Sequence, residues 1–488
     1  MTYSKKIAFN TAAQFVGKII STAISLATFA VLYRTLGIEG IGKYTTVFAF
    51  VAFFAVFADF GLQWTLIREL SVNPQNKNKI FGNIFFFRLI LAIVVFLVAF
   101  GAVWFLNYPY DVKVAVGLIS LGWFFTTINS TFIGVFLNNY RMDISVAGDI
   151  IGRAITLGLI IFMAKLGYGF YYLMGAYVVG NFVNIVYSYV FVGKFVKIAF
   201  RFDYKYWKYV IDQAFAIGIV LVFGFIYYKI DSLMLSLMKG MTDVGIYGSA
   251  YKLLEVLTTI PSMFLGAAFP LITAYIAKKD ARVMPAFQKQ FDFLMLIALP
   301  IMGGVLVTSN QIIKFIAGSR GAEFVGTSTV TFAGIPITSA IILQILIFAV
   351  GIHFLSNLYN YMIVSLGKQK SMVWPTVFFA GFNVVLNLLL IPKFSYLGAA
   401  VSTVLTEIAV VLFYKVITDK NICLPINLNS FARILFSSIL MSIIIYYFAC
   451  LGYGIITLII IGAVFYGAFI FIFKAVPKNL IKSIISRQ

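Results

Sequence analysis

The chain has 488 residues, 62% hydrophobic and only 11% charged, whereas a soluble domain carries about 25% charged residues. A soluble globular protein is excluded, and stretches such as I-F-F-F-R-L-I-L-A-I-V-V-F-L-V-A-F-G-A-V-W-F-L, residues 84–106, exceed the roughly 20 apolar residues that cross a bilayer. The net charge of +21 is no nucleic-acid signal, because Lys and Arg gather in alternate loops.

In chain order, the apolar segments of the first half run near 8–34, 44–66, 80–106, 113–137, 145–165 and 168–193. The second half gives 209–236, 244–272, 287–309, 331–365, 371–391 and 396–417, then 431–450 and 453–474. This pattern predicts an all-α polytopic membrane protein with about 14 transmembrane helices. With the N-terminus placed in the cytoplasm, most of the 37 Lys and Arg fall on the side that holds both termini. The first apolar stretch is too long for a cleavable signal and is expected to remain as a span. The two cysteines, Cys423 and Cys450, make no disulfide framework.

One stretch invites a nucleotide reading. L-G-I-E-G-I-G-K-Y, residues 36–44, carries G-x-x-x-x-G-K, but Tyr44 stands where a phosphate loop has Ser or Thr. It also follows a helix rather than a strand. The chain returns to the pattern in K-G-M-T-D-V-G-I-Y, residues 239–247, where Gly240, Gly245 and Tyr247 match Gly37, Gly42 and Tyr44. A second echo joins L-G-Y-G-F-Y-Y-L-M-G-A (166–176) to F-S-Y-L-G-A-A (394–400). Duplication accounts for both. The expectation is two pseudo-symmetric six-helix lobes, 1–200 and 201–420, with two extra helices and an interfacial tail in 421–488. The link 193–209, mixing Lys with Phe, Tyr and Trp, suits the membrane interface, as does a helix over 474–487. Pro261, Pro270, Pro300, Pro336 and Pro375 fall in or beside second-half spans, so the second lobe is expected to bend more.

Charges inside spans are costly and mark candidate sites. The cations are Lys18, Arg88, Arg153, Lys229 and Lys252; the acids are Asp59, Asp149, Asp231 and Glu255. Asp59 could neutralise a neighbouring cation, and Lys252 and Glu255 share one helix face. The charges of spans 7 and 8 fit either a closed structural network or a polar lining that meets an anion. Lys and Arg beside Tyr227, Tyr228, Tyr251 and Tyr359 suit a pyrophosphate joined to sugars. The lone histidine, His353, sits mid-span and reads as a hydrogen-bonded packing residue, with proton coupling as the alternative. No catalytic constellation and no metal-ligand cluster is evident.

Ordered motifs then point to a family. L-G-x-x-G-x-G-x-Y after span 1, Asp231 ahead of M-L, V-G-I-Y-G-S-A-Y-K-L-L-E (244–255), F-P-L-I (269–272) and N-V-V-L-N-L-L-L-I-P-K-F-S-Y-L-G-A-A (383–400) follow one another along the chain. The sequence resembles the polysaccharide transporter family of the multidrug/oligosaccharidyl-lipid/polysaccharide flippase superfamily. The resemblance implies a flippase of the bacterial inner membrane working by alternating access. Its partner would be an undecaprenyl-pyrophosphate-linked oligosaccharide repeat unit, moved from the inner to the outer leaflet for O-antigen, capsule or exopolysaccharide synthesis. By location within spans, Lys18, Arg88, Arg153, Lys229 and Lys252 would meet substrate, while Asp59, Asp231 and Glu255 would pair charges or couple an ion. The resemblance implies membrane lipids, a polysaccharide polymerase and a chain-length regulator as partners, no nucleic acid and no cofactor. Coupling to a proton or sodium gradient stays open. So do a lipid-linked peptidoglycan precursor flippase, a cation-coupled drug exporter and, from another class, a membrane-bound glycan polymerase or ligase.

Overall fold

The computed structural model describes residues 3–422, 424 and 426–474, with side chains from Phe9 onward. The first elements are α1 (Tyr3–Asp59), α2 (Leu62–Val72), α3 (Lys77–Val103), α4 (Tyr110–Asn138), α5 (Met142–Lys165), α6 (Phe170–Val192), α7 (Tyr204–Met238) and α8 (Met241–Leu257). Then come α9 (Thr259–Ala277), α10 (Val283–Ala317), α11 (Gly321–Gly326), the short pair β1 (Thr331–Phe332) and β2 (Ile335–Pro336), α12 (Ser339–Ser365), α13 (Val373–Asn421), α14 (Leu428–Cys450) and α15 (Ile455–Ile472). Among the described residues, 12 helical stretches are long and apolar enough to cross a membrane. Two of these are double length and broken midway, α1 at Gly37 and α13 at Ser395, so about fourteen crossings result, as the hydropathy pattern predicts.

The chain divides into two compact units, Met1–Gly245 and Ile246–Gln488. In the first, α5 crosses α6 where both present small residues. A Cβ on Gly152 would lie 2.6 Å from the Gly180 carbonyl oxygen, so only glycine permits this approach. α7 also packs within this unit: Tyr209 donates to Glu69 of α2 at 3.0 Å and Arg68 donates to Gln213 at 2.7 Å. The link 193–203 has no helix; its Lys197 N–H donates to Asn78 Oδ1 at 2.8 Å. Asp203 caps α7 by accepting from Tyr206 N at 3.2 Å and pairs with Lys79 at 3.1 Å.

In the second unit α12 is the central helix, buried along most of its length and packed on α10 and α13. α15, although more apolar, buries only Ile455, Leu458 and Gly462 and turns Ile456, Ile459 and Val464 outward. Such outward apolar faces suit lipid, since the backbone polar groups of a helix are already satisfied.

The structure corrects several expectations. Span 10 begins at Ser339, not near 331, because 331–336 folds as a hairpin around Ala333 and Gly334, both with positive φ. Pro336 therefore lies in β2 and kinks no helix. Pro261 and Pro375 fall in first turns, where an N–H has no intrahelical acceptor to lose. Pro270 and Pro300 do interrupt helices, and so does Pro392 in α13. Span 8 is divided at Thr258 into α8 and α9. Cys450 is exposed, while Cys423 and the tail helix expected over 474–487, from 475 on, lie outside the described residues.

Candidate functional site

The first polar cluster is built by α1 and α5. Arg153 and Asp149 stand one turn apart on α5 and pair at 2.9 Å. From α1, Ser21 donates to Asp149 at 2.6 Å, and Arg153 donates to Ser25 at 2.5 Å. Ser21, Ser25 and the exposed Lys18 fall at spacings of three and four, so they share a stripe of α1. The Tyr177 hydroxyl donates to that of Tyr44 at 3.3 Å, and both rings lie within electrostatic reach of Arg153. The Arg153 side chain is 46% exposed and that of Asp149 36%. This cation is thus held by protein groups yet reachable, a combination that suits an anionic ligand.

Arg88 differs. It is 1% exposed, paired with Asp59 of α1, and its guanidinium donates to Thr131 of α4 at 3.4 Å. The pair ties α3 to the end of α1. On α7, Lys229 is half-buried and Asp231 buried. In the second unit, Lys252 and Glu255 pair along α8 at 2.9 Å, both about a quarter exposed. The structure thus joins Arg88 to Asp59 and Lys252 to Glu255. Arg153 is joined to Asp149, and Lys18 makes no ion pair among the described residues.

Lys43, the lysine of the apparent phosphate loop, pairs with Glu39 at 3.1 Å and Asp111 at 2.8 Å, which spends its charge on carboxylates. The two glycine turns pack on each other instead. A methyl group on Gly42 would overlap the Met241 carbonyl, and one on Gly245 would overlap the carbonyl of Ile38. Gly37, at φ 69°, supplies the left-handed backbone that reverses α1.

Two features of the second unit were missed in the sequence reading. Glu407 of α13 is buried and bonded to His353, although the same argument from charges inside spans, applied to V-L-T-E-I-A, finds it. An apolar cavity of about 300 Å³ lies among α10, α14 and α15, lined by Pro300, Ile301, Met441, Ile445, Leu458 and Ile459. Runs of apolar residues carry no mark of which faces leave a gap, so nothing in the sequence signals it.

Comparison with solved structures finds the same architecture. The chain is similar to the lipid II flippase MurJ in its inward closed conformation, with TM-score 0.74 and 14% identity over 97% of this chain and 100% of that one. It is also similar to a multidrug resistance MATE family transporter of the MOP superfamily in an inward-facing conformation, with TM-score 0.65 and 13% identity over 82% of this chain and 95% of that chain. A MOP superfamily transporter from Pyrococcus furiosus, described as having a binding pocket of reversed polarity, matches with TM-score 0.59 and 13% identity over 85% of this chain and 96% of that one. At these identities the likeness is one of fold. No curated protein matches the sequence. The family model described as polysaccharide biosynthesis protein matches residues 7–276, more than half of the chain. With this match, the ordered motifs and the multi-pass α-helical fold, the chain belongs to the polysaccharide biosynthesis protein family.

Proposed function

We propose that this protein is a flippase that carries an undecaprenyl-pyrophosphate-linked oligosaccharide repeat unit from the inner to the outer leaflet of a bacterial inner membrane by alternating access. Both termini are cytoplasmic in this reading, and 1–200, 201–420 and 421–488 act as two lobes and an added helix pair. The observation that carries it is the reachable Arg153, fixed by Asp149 and Ser25, with Lys18 on the same stripe and Tyr44 and Tyr177 beside it. A pyrophosphate needs cations and donors, and a sugar needs flat rings and hydroxyls. Membership of a polysaccharide biosynthesis family supports the sugar part. The apolar cavity among α10, α14 and α15 is chemically suited to an isoprenoid chain.

A lipid-linked peptidoglycan precursor is the second reading, favoured by the likeness to the lipid II flippase across nearly the whole chain. One assay separates the two. Proteoliposomes holding only this protein are loaded with a labelled undecaprenyl-pyrophosphate lipid bearing either an oligosaccharide or a peptidoglycan precursor head group. A membrane-impermeant hydrolase then reports which reaches the outer leaflet. Protein-dependent movement of the oligosaccharide lipid alone supports the first reading, and movement of the precursor alone replaces it with the second. No movement of either, in sealed liposomes with and without an ion gradient, sinks both.

A further inference from the structure

The end of the chain is cationic without an acid to match. Residues 420–488 contain no Asp or Glu, yet they carry Arg433 and Lys474 at one end of the last pair of spans. α14 and α15 run antiparallel, so the start of α14 meets the end of α15. Phe436 and Phe473 pack edge to face there, with centroids 5.1 Å apart, and Ile445 lies against Gly462 deeper in the pair. Beside the two rings opens a cleft of about 380 Å³ lined by Ala432, Arg433, Phe436, Phe473 and Lys474. The Arg433 guanidinium donates across it to the Lys474 carbonyl at 3.3 Å, and both residues are exposed. Neither cation pairs with a carboxylate among the described residues.

From the cleft an apolar stripe runs along α14. Phe436, Ile439 and Ile443 follow at spacings of three and four, so they share one face, and each is about half exposed. Arg433 lies roughly 7 Å inside the start of α14, Lys474 falls just past the end of α15, and Ile439 stands about 9 Å deeper than Arg433. Positive charge thus sits at the end of the spans, and lipid-facing side chains begin beside it. Phosphate followed by acyl chain is the order of groups in a phospholipid, and basic pockets between transmembrane helices take anionic head groups.

The lining also sets aside other occupants. It offers no hydroxyl or amide side chain, so nothing in it reads a sugar, unlike the Arg153 cluster with its serines and tyrosines. A free phosphate would meet the two cations and make no use of the stripe. The chain's own residues 475–488 carry Lys478, Lys482 and Arg487 and no acidic side chain, so like charge opposes their entry.

We infer that the Arg433–Lys474 cleft binds the phosphate of an anionic glycerophospholipid, whose acyl chains lie along Phe436, Ile439 and Ile443. That this is the inner leaflet rests on the orientation proposed above; the cleft itself does not. The test replaces Ile439 with the photo-crosslinker p-benzoylphenylalanine in the full-length protein. The vesicles hold equimolar phosphatidylglycerol and phosphatidylcholine with matched chains, and the lipid adducts are identified by mass after irradiation. Adducts at 439 should favour phosphatidylglycerol at least threefold, while the same probe at Ile456, at the other end of α15, should follow the vesicle composition. Arg433→Gln combined with Lys474→Gln should return position 439 to that composition. Lys474→Gln alone, which leaves the Arg433 side chain in place, should already lower the preference. No preference at 439, or one that survives the double substitution, overturns the site.

Three additions separate the other sources of the signal. Neutralising Lys478, Lys482 and Arg487 together to Gln should leave the preference intact; its loss would assign the effect to the tail and overturn the cleft. Excess inorganic phosphate should not displace phosphatidylglycerol, and displacement would reduce the cleft to a phosphate site. Undecaprenyl pyrophosphate added as a minor component should leave the adducts unchanged, and its capture at 439 in their place would hand the cleft to the transported lipid. The starting vesicles hold no undecaprenyl lipid, so failure of the cleft leaves the transport reading untouched.

Discussion

Gly42 and Gly245 hold reciprocal positions: each presents its bare Cα to a carbonyl of the other's turn, Gly42 to Met241 and Gly245 to Ile38. The repeated motif thus codes for a close contact between backbones.

A methyl group at either glycine must push backbone aside, which costs about 1–3 kcal/mol. Gly42→Ala and Gly245→Ala should each lower the melting temperature by several degrees and raise the maleimide reactivity of a cysteine placed at Ile38 in a background lacking native cysteines. Gly240 has open space where its Cβ would stand, so Gly240→Ala is the control and should change neither readout. Equal effects at Gly240 and Gly42 would refute the contact.

Arg88 and Arg153 should part under mutation. Arg88→Ala strips the partner from Asp59 inside the helix bundle and should cost about 3 kcal/mol, seen as early thermal aggregation. Arg153→Ala removes a half-exposed pair worth about 0–1 kcal/mol, so stability should hold while lipid movement falls at least tenfold. Retained transport by a well-folded Arg153→Ala protein would remove Arg153 from the proposed binding site.

Tyr396 fastens the hairpin. Its hydroxyl donates to the Ile337 carbonyl at 2.7 Å and accepts from the N–H groups of Thr329 and Val330 at 3.2 Å. Tyr396→Phe leaves these backbone groups unmatched at a cost of about 1–3 kcal/mol. Limited proteolysis should then cut within 327–338 markedly faster than in the parent protein. An unchanged cutting rate would assign the hairpin's order to other contacts.

Asp203 supplies a pH-dependent tie between α3 and α7. The Lys79 ammonium, then the Tyr206 N–H, hold its carboxyl below the ordinary carboxylate value. The folded chain therefore binds its proton less well than the unfolded chain. This contribution is complete above about pH 4 and disappears as the pH falls through the folded value. Thermal unfolding of Asp203→Asn should lie below the parent's at pH 7, and the two curves should converge under acid conditions. A gap independent of pH would rule out the charge as its source.

The helical plan was legible because apolar runs of bilayer length leave few alternatives. The partial repeat told where two turns fall, and Gly37 and Gly42 explain why glycine recurs there. Span 10 reads too long because Phe332, Ala333 and Ile335 are apolar enough to continue a helix start, while the turn signals Gly334 and Pro336 beside them mark the hairpin that the positive φ at Ala333 and Gly334 makes. Individual charges stood out at once, but their partners did not. Arg88 meets Asp59 29 positions earlier in the chain, and Glu407 meets His353 54 positions earlier, distances over which a single sequence carries no pairing signal.

The two mid-helix breaks make tolerance to insertion very uneven along this chain. At Gly37 and Ser395 one crossing passes into the next with no slack residues, and a Cβ on Gly398 would already lie 2.5 Å from the Leu390 carbonyl oxygen. An epitope or reporter spliced into either corner would have to pry apart packed backbone. The same cargo placed at the exposed tip of the hairpin, between Ala333 and Gly334, meets open space. Orientation mapping by inserted tags should therefore begin at the hairpin, because silence from a tag at either corner would report a broken fold rather than a side of the membrane.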